Sequence, residues 1–220
     1  MDVLLSGQLL VSALVLGALY ALVALGLNLI YGTMRLLNVA HGDILMLGGY
    51  VAFWAFTLIE LPPPVSLFLA FAAAAGFGAV AYSLIFRRVL KTTAVLERIE
   101  ANSLLVFFGI SVIIQNLASL AFSANDRAYP YLDQVVDLGG ITIGADRLAT
   151  LIIALAVCLA CVLFFRFSRV GLAVRALIQQ RDAAALVGID TDRINLLVFC
   201  LGFGLAGLAG TLISMTEQVS

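Results

Sequence analysis

The sequence has few charged side chains. Of its 220 residues only 11% are charged and 63% are hydrophobic, with a mean hydropathy of +1.14, whereas about a quarter of the residues in soluble domains are charged. Twelve basic and thirteen acidic side chains leave a formal charge of -1, so there is no basic surface for nucleic acid. The composition indicates an integral membrane protein.

Residues that carry catalytic chemistry are equally scarce. His41 is the only histidine and Lys91 the only lysine, and the sequence contains no G-x-x-x-x-G-K-[ST], G-x-S-x-G or H-E-x-x-H motif. We therefore expect no enzyme and no cofactor in this chain, and any ATP would be hydrolysed by a partner chain. The three cysteines lie inside apolar runs: Cys158, Cys161 and Cys200. We therefore expect their side chains to pack between helices rather than to bind a metal or form disulfides.

Six apolar runs are long enough to cross a bilayer, which takes roughly 20 helical residues. They cover about 7–31, 39–59, 65–86, 103–122, 148–167 and 195–215. Because the chain begins Met1-Asp2, without a positive leader region, the first run is interpreted as a span rather than a cleaved signal. The prediction is an all-α membrane protein, a single domain over 1–220 that forms a polytopic bundle of about six helices.

Basic residues are distributed unevenly between the connections. Ten of the twelve lie at Arg35, in the 87–102 loop, or in the 168–194 loop and its flank, which places these segments in the cytoplasm. Both chain ends and the acidic 123–147 loop then lie outside. Within that loop, the residues around Gly139-Gly140 predict two short strands, a small hairpin on the outer face; an irregular loop is the alternative.

Several polar residues fall at membrane depth. Asn38, His41 and Asp43 open the second span, where they could belong to a permeation path or gate. Alternatively, Asn38 or Asp43 caps the helix and His41 bonds to a loop. The amides Asn28, Gln115 and Asn116 could line a pore or join helices by hydrogen bonds.

Small residues recur at four-residue spacing in three of the spans, a pattern that lets membrane helices approach closely. They are Gly17 and Ala21, Ala74 and Gly78, and Gly202, Ala206 and Gly210. The pattern predicts a packed bundle but does not say whether each ridge meets this chain or a second one.

The 168–194 loop predicts two short helices. The first covers 171–181. The second falls in the segment 182–189 and is ended by Gly188, a residue suited to the left-handed cap. Such helices could lie in the membrane interface or dock a soluble partner.

Sequence motifs in this loop and in the first two spans support the docking interpretation. Asp182-Ala183-Ala184, three further residues and then Gly188 resemble the E-A-A-x-x-x-G loop with which permeases of ABC importers contact their ATPase subunits, with Asp in place of Glu. The 17–27 segment GALYALVALGL and the 37–48 segment LNVAHGDILMLG resemble the inner-membrane permease of branched-chain amino acid ABC transporters. The resemblance covers nearly the whole chain, and its N-x-A-H-G-[DE] motif is shared with urea and short-amide relatives.

The resemblance implies a bacterial inner-membrane importer that works by alternating access. Its expected partners are a second homologous permease, two cytoplasmic ATPase subunits that hold ATP and magnesium, and a soluble periplasmic binding protein. Asp182, Ala183, Ala184 and Gly188 would make the docking contact, and Arg175 or Arg181 would pair with acidic groups of the partner. Alternatively, the arginines only set the orientation or contact lipid headgroups. Members of this family usually continue beyond the equivalent of Ser220, so the chain is expected to be short at its C-terminus.

The substrate is less well determined by sequence. Branched-chain or other apolar amino acids are the main prediction, with urea or short amides as the alternative. An ATP-independent channel or secondary transporter, or an intramembrane enzyme, would be further alternatives.

Overall fold

A computed structural model describes residues 7–92, 96–122, 134–137 and 142–216. Its helices are α1 (Gly7–Met34), α2 (His41–Ile59), α3 (Pro63–Ala81), α4 (Arg87–Thr92), α5 (Leu96–Phe122), α6 (Ala145–Phe167), α7 (Arg169–Gln179), α8 (Arg181–Leu186) and α9 (Thr191–Thr216). A π-helical turn, Tyr82–Phe86, joins α3 to α4, and two short strands are β1 (Val135–Asp137) and β2 (Thr142–Gly144).

Within the described residues, six helices are long and apolar enough to cross a membrane, which confirms the all-α polytopic fold. They are Gly7–Met34, His41–Ile59, Val65–Leu90, Arg98–Ala121, Ala145–Phe167 and Thr191–Thr216. Several extend a few residues past the predicted spans, α9 by including Thr191 to Ile194. The sequence prediction counted only apolar residues, whereas a helix continues into water while its backbone hydrogen bonds remain favourable.

The connections between the first three spans are tight turns. Arg35 ends α1 and Glu60 ends α2, both in the left-handed backbone region with φ of 56° and 54°. Pro63 and Pro64 then occupy the first positions of α3, where proline costs no backbone hydrogen bond.

Helix α9 lies at the centre of the bundle and packs against α1, α2, α3 and α6. Its small residues allow this close packing, since a Cβ at Gly202 would lie 2.6 Å from Ile30 Cγ1 and one at Gly207 would lie 2.6 Å from Ala74 Cβ. The hydroxyl of Thr211 donates to the carbonyl of Gly48 at 3.2 Å, joining α9 to α2 by a buried hydrogen bond.

Two of the three predicted small-residue ridges are used within the chain. The α9 ridge faces α1 and α2, and a Cβ at Gly78 of α3 would lie 2.9 Å from Phe203. The α1 ridge is different, because a Cβ at Gly17 would meet nothing within 4 Å and Ala21 is exposed. The outer face of α1 is therefore not packed against the described part of this chain.

An aromatic cluster connects α5 to the rest of the bundle. The rings of Phe86 and Phe107 are stacked with centroids 4.4 Å apart, and Phe199 and Phe203 are stacked at 4.6 Å. Phe86 also lies 5.2 Å from Phe199. Because Phe86 ends the π-helical turn, that turn carries the α3 segment into contact with both α5 and α9.

The two strands of the predicted hairpin are present. β1 and β2 pair antiparallel, with Val136 opposite Ile143. The Gly139-Gly140 turn and most of the predicted 123–147 outer loop, including Arg127, lie outside the described residues.

Candidate functional site

The α7–α8 segment has the two-helix form predicted for a docking element. Ser168 caps α7 by accepting a hydrogen bond from the Gly171 amide at 2.9 Å. Extended backbone at Gln180 separates α7 from α8. Gly188 has a φ of 88°, and the Ile189 amide donates to the Ala184 carbonyl, so α8 ends in the predicted left-handed cap.

The surface around this cap is apolar. Leu186 is 88% exposed and Val187 is 77% exposed, and they stand directly before Gly188. Asp182 and Ala183 are also exposed, whereas Ala184 is buried. We call the exposed set Asp182, Ala183, Leu186, Val187 and Gly188 the α8 knob. Leu186 and Val187 were not among the predicted docking residues, although two aliphatic side chains before a capping glycine in a polar loop were a usable signal.

Helix α7 is held firmly against the membrane domain. The Arg175 guanidinium donates to the Phe165 carbonyl at 2.7 Å and to the Arg166 carbonyl at 3.4 Å, which are among the terminal carbonyls of α6 that lack helical partners. Gly171 contacts the Phe165 backbone so closely that no side chain would fit there. Of the two arginines expected to meet a partner, Arg175 is thus engaged within its own chain, whereas Arg181 is half-buried.

The polar residues that open the second span lie between helices. The His41 side chain is 3% exposed, and its Nε2 donates to the Val23 carbonyl of α1 at 3.2 Å. Asp43 is buried and accepts a hydrogen bond from Gln115 Nε2 of α5 at 2.9 Å. The N-cap position of α2 is held by Ala40, so the predicted cap by Asn38 or Asp43 is wrong.

Asn38 and His41 also contain polar atoms without a partner. Asn38 is 6% exposed, and neither its amide nitrogen nor its amide oxygen has a hydrogen-bond partner among the described residues; the same holds for Nδ1 of His41. Buried polar atoms are nearly always hydrogen-bonded to protein or water. The segment therefore makes one interhelical bond to α1 and one to α5, and it also contains buried polar atoms that have no partner among the described residues.

The three predicted amides do not form one site. Gln115 bonds to Asp43 and to Ser111, while Asn116 donates to the Val112 carbonyl one turn earlier in its own helix. Asn28 instead lies on the outer face of α1, beside a groove of about 530 Å³ that is lined by Tyr20, Val23, Ala24, Leu27, Asn28 and Tyr31. The interhelical interpretation holds for Gln115, whereas Asn28 lies beside the groove on α1.

No cluster of three or more His, Cys, Asp or Glu side chains that could hold a metal occurs in the described residues. In the same part of the chain, Cys158, Cys161 and Cys200 are free and half-buried. The geometry therefore consists of a docking element at one end of the bundle, a polar junction of α1, α2 and α5, and a grooved outer face on α1.

Comparison with known proteins agrees with this arrangement. Residues 9–220 match the family described as "Branched-chain amino acid transport system / permease component". The high-affinity branched-chain amino acid transport system permease protein BraD of Pseudomonas aeruginosa is 29% identical, over 96% of this chain and 72% of its own length.

Two further relatives are permease proteins called LivH. The high-affinity protein of Salmonella typhimurium is 30% identical over 90% of this chain and 67% of its own length, and the probable one of Methanocaldococcus jannaschii is 26% identical over 94% and 66%. No solved structure matches significantly. The chain therefore belongs to the branched-chain amino acid transport system permease family and is a multi-pass membrane transport subunit, not an enzyme.

Proposed function

We propose that this chain is the membrane-spanning subunit of an ATP-driven importer for branched-chain or other apolar amino acids. The α8 knob carries the proposal, because it exposes aliphatic side chains in a loop that is otherwise rigidly attached. Exposed apolar surface marks a contact with a protein or with a membrane, and the resemblance of 182–188 to the docking loop of ABC permeases favours a protein. Relatives named as branched-chain amino acid permeases support the substrate class and do not favour a urea or short-amide permease or an ATP-independent channel.

The coupling follows from how the knob is attached. A partner ATPase that grips the α8 knob would move α7 together with α6, because Arg175 and Gly171 join α7 to the end of α6. Rocking of these helices would alternately open the path to either side of the membrane. ATP and magnesium would be bound by the two ATPase subunits, and this chain would need no cofactor of its own.

The orientation follows from charge. We place α7, α8 and the basic loops in the cytoplasm, which puts the N-terminus outside in the bacterial inner membrane, because basic loops stay on the cytoplasmic side. A soluble periplasmic binding protein would then deliver the substrate to the opposite face, where α1 and α6 begin.

The outer face of α1 is the proposed contact with a second, homologous permease. Tyr20 is 69% exposed near the middle of the helix, and Asn28 lies beside the same groove. Placing the Tyr20 hydroxyl and the Asn28 amide in hydrocarbon costs free energy, because their hydrogen bonds are lost. A neighbouring subunit, with a water-filled path between the two subunits, would supply hydrogen-bond partners for both groups. Asn28 would line this path, with Asn38, His41, Asp43 and Gln115 forming a gate beside it, since His41 bonds to the groove-lining Val23; Asn116 is a further candidate.

Co-purification with the cognate ATPase subunit in detergent tests the docking. We expect the wild-type chain to retain the ATPase, and Gly188→Arg and Leu186→Arg to lose it. Leu186 needs no left-handed backbone, so its variant separates lost docking from strain at Gly188. Val39→Arg adds the same charge at an exposed position of the α1–α2 turn and should retain the ATPase. Equal retention by all four proteins, or none by the wild type, would overturn the proposal.

A further inference from the structure

Two adjoining cavities lie at the end of the bundle opposite α7 and α8, where α1 and α6 begin and α9 ends. One has a volume of about 270 Å³ and the other about 70 Å³. Both are lined by Ser12 and Arg147, so they form one recess, which we call the outer recess. Together the two cavities reach the lower end of the roughly 300–1,000 Å³ found for drug-sized ligands, which suits a small molecule.

One wall of the outer recess is polar and positively charged. Arg147 Nη1 lies 3.5 Å from the Ser12 hydroxyl oxygen, and Gln8 lines the larger of the two cavities with them. Within the described part of the chain no carboxylate lies within ion-pairing distance of Arg147. The neighbouring Asp146 carboxylate lies against the backbone of Gly144 instead. A guanidinium that has no anionic partner, beside a hydroxyl and an amide, is suited to a carboxylate.

Most of the remaining residues of the lining are aliphatic. Val15, Leu16 and Leu19 of α1 line the smaller cavity, and Val11 and Ile143 line the larger one. A ligand whose carboxylate met Arg147 would therefore place its body against branched aliphatic side chains. An apolar lining with a few well-placed polar groups is the usual composition of a small-molecule site.

We propose that the outer recess binds the carboxylate of an aliphatic amino acid through Arg147, Ser12 and Gln8, as a first station on the outer face. The inference deepens the proposed function and rests on it for the orientation and the substrate class. A lipid phosphate offers the same oxyanion chemistry, but the aliphatic wall formed by α1 and Ile143 favours a small ligand that enters the recess.

Binding of radiolabelled leucine to the chain in phosphatidylcholine nanodiscs, without ATPase, tests the recess. Arg147→Gln should raise the Kd at least about tenfold, because a hydrogen bond to a charged group contributes about 1.5–3 kcal/mol. Arg98→Gln removes one positive charge from an exposed position at the other end of the bundle and should leave the Kd unchanged. Isocaproate, which keeps the carboxylate, should compete, whereas leucinamide should not.

A local readout guards against a folding defect in Arg147→Gln. Leu16→Cys places a thiol in the recess, and Leu14→Cys places one at similar depth on another face of α1. Leucine should slow thiol labelling at position 16 and not at position 14, with the labelled peptides located by mass spectrometry. The protection should disappear when Arg147→Gln is added.

Each contrary outcome has a definite meaning. Equal leucine binding by wild type and Arg147→Gln would overturn the proposed binding site. Competition by leucinamide equal to that by isocaproate would do the same. Leucine binding abolished in nanodiscs that contain phosphatidylglycerol would identify a lipid site instead. ATPase co-purification is measured separately from leucine binding. A contrary result in either experiment therefore refutes its own proposal without refuting the other.

Discussion

Replacing Gly210 with alanine should weaken the central contact of the bundle. A Cβ at Gly210 would lie 2.6 Å from the carbonyl carbon and 2.9 Å from the Cα of Leu45, and closer still to the Leu45 oxygen. Non-bonded carbon atoms prefer about 3.5–4.0 Å. The colliding atoms belong to the α2 backbone and cannot rotate away, so α2 and α9 would have to separate by about 1 Å.

The expected magnitude follows from three contributions. Overpacking a tight core costs about 1–3 kcal/mol. The hydrogen bond from Thr211 to Gly48, next to the collision, would be stretched, which costs up to about 1 kcal/mol. Alanine gains about 0.5–1 kcal/mol over glycine in a helix interior. Because the colliding atoms are fixed backbone atoms, we take the overpacking cost at about 3 kcal/mol, which gives a net loss in the free energy of unfolding of about 2–3.5 kcal/mol.

Gly76→Ala is the matched control. Gly76 lies inside helix α3, and a Cβ there would meet nothing within 4 Å, so only the helix-propensity gain remains. Unfolding in mixed micelles with a rising SDS fraction, followed by circular dichroism, compares the two variants. Gly210→Ala should unfold at a lower SDS fraction than wild type, and Gly76→Ala at the same or a higher one. Coincident transitions for the two variants would refute the packing argument.

Three other substitutions separate the roles of different surfaces. Gly17→Leu should leave the unfolding transition unchanged but abolish cross-linking to the second permease, and unchanged cross-linking would contradict the α1 interface. Arg175→Gln should preserve ATPase co-purification while reducing transport severalfold in proteoliposomes, because the bonds to the Phe165 region are lost; full transport would exclude a lever at this junction. Gln115→Leu should cost about 1–3 kcal/mol in the SDS assay by leaving the Asp43 carboxylate without its partner, unlike the control Asn116→Leu, and equal costs would show that the Asp43 bond contributes nothing.

Features that depend on neighbouring residues in the chain could be predicted from the sequence. Six apolar runs predicted the six long helices, and Gly188, after a short alanine-rich segment, predicted a left-handed cap that the structure confirms. The two strands on either side of Gly139-Gly140 were also predicted from local pattern. In each case the determining interactions act within a few residues.

Features that depend on distant pairs could not be predicted in this way. Asp43 and Gln115 are 72 residues apart, and only the packing of α2 against α5 brings them together. Local pattern instead favoured a helix cap, which was wrong because the Asp43 carboxylate has a partner on another helix. Gly17 and Gly202 have the same four-residue spacing to a small neighbour, yet one is exposed and the other is packed against Ile30.

The attachment of the docking segment determines where an applied force would go. Helix α7 is joined to α6 by Arg175, and four residues connect α8 to α9. Asp190 caps the N-terminus of α9 by accepting a hydrogen bond from the Arg193 amide at 3.1 Å. Helix α6 is the least buried of the six spans, whereas α9 contacts α1, α2 and α3. A displacement of the α8 knob would therefore meet little resistance at α6 and would reach the other helices through α9.

The tight glycine contacts of α9 make that transmission stiff, since close-packed backbones cannot absorb the motion by changing side-chain rotamers. The same glycines that stabilise the bundle would then couple it to the ATPase, so Gly210→Ala should impair transport more than its loss of stability alone requires.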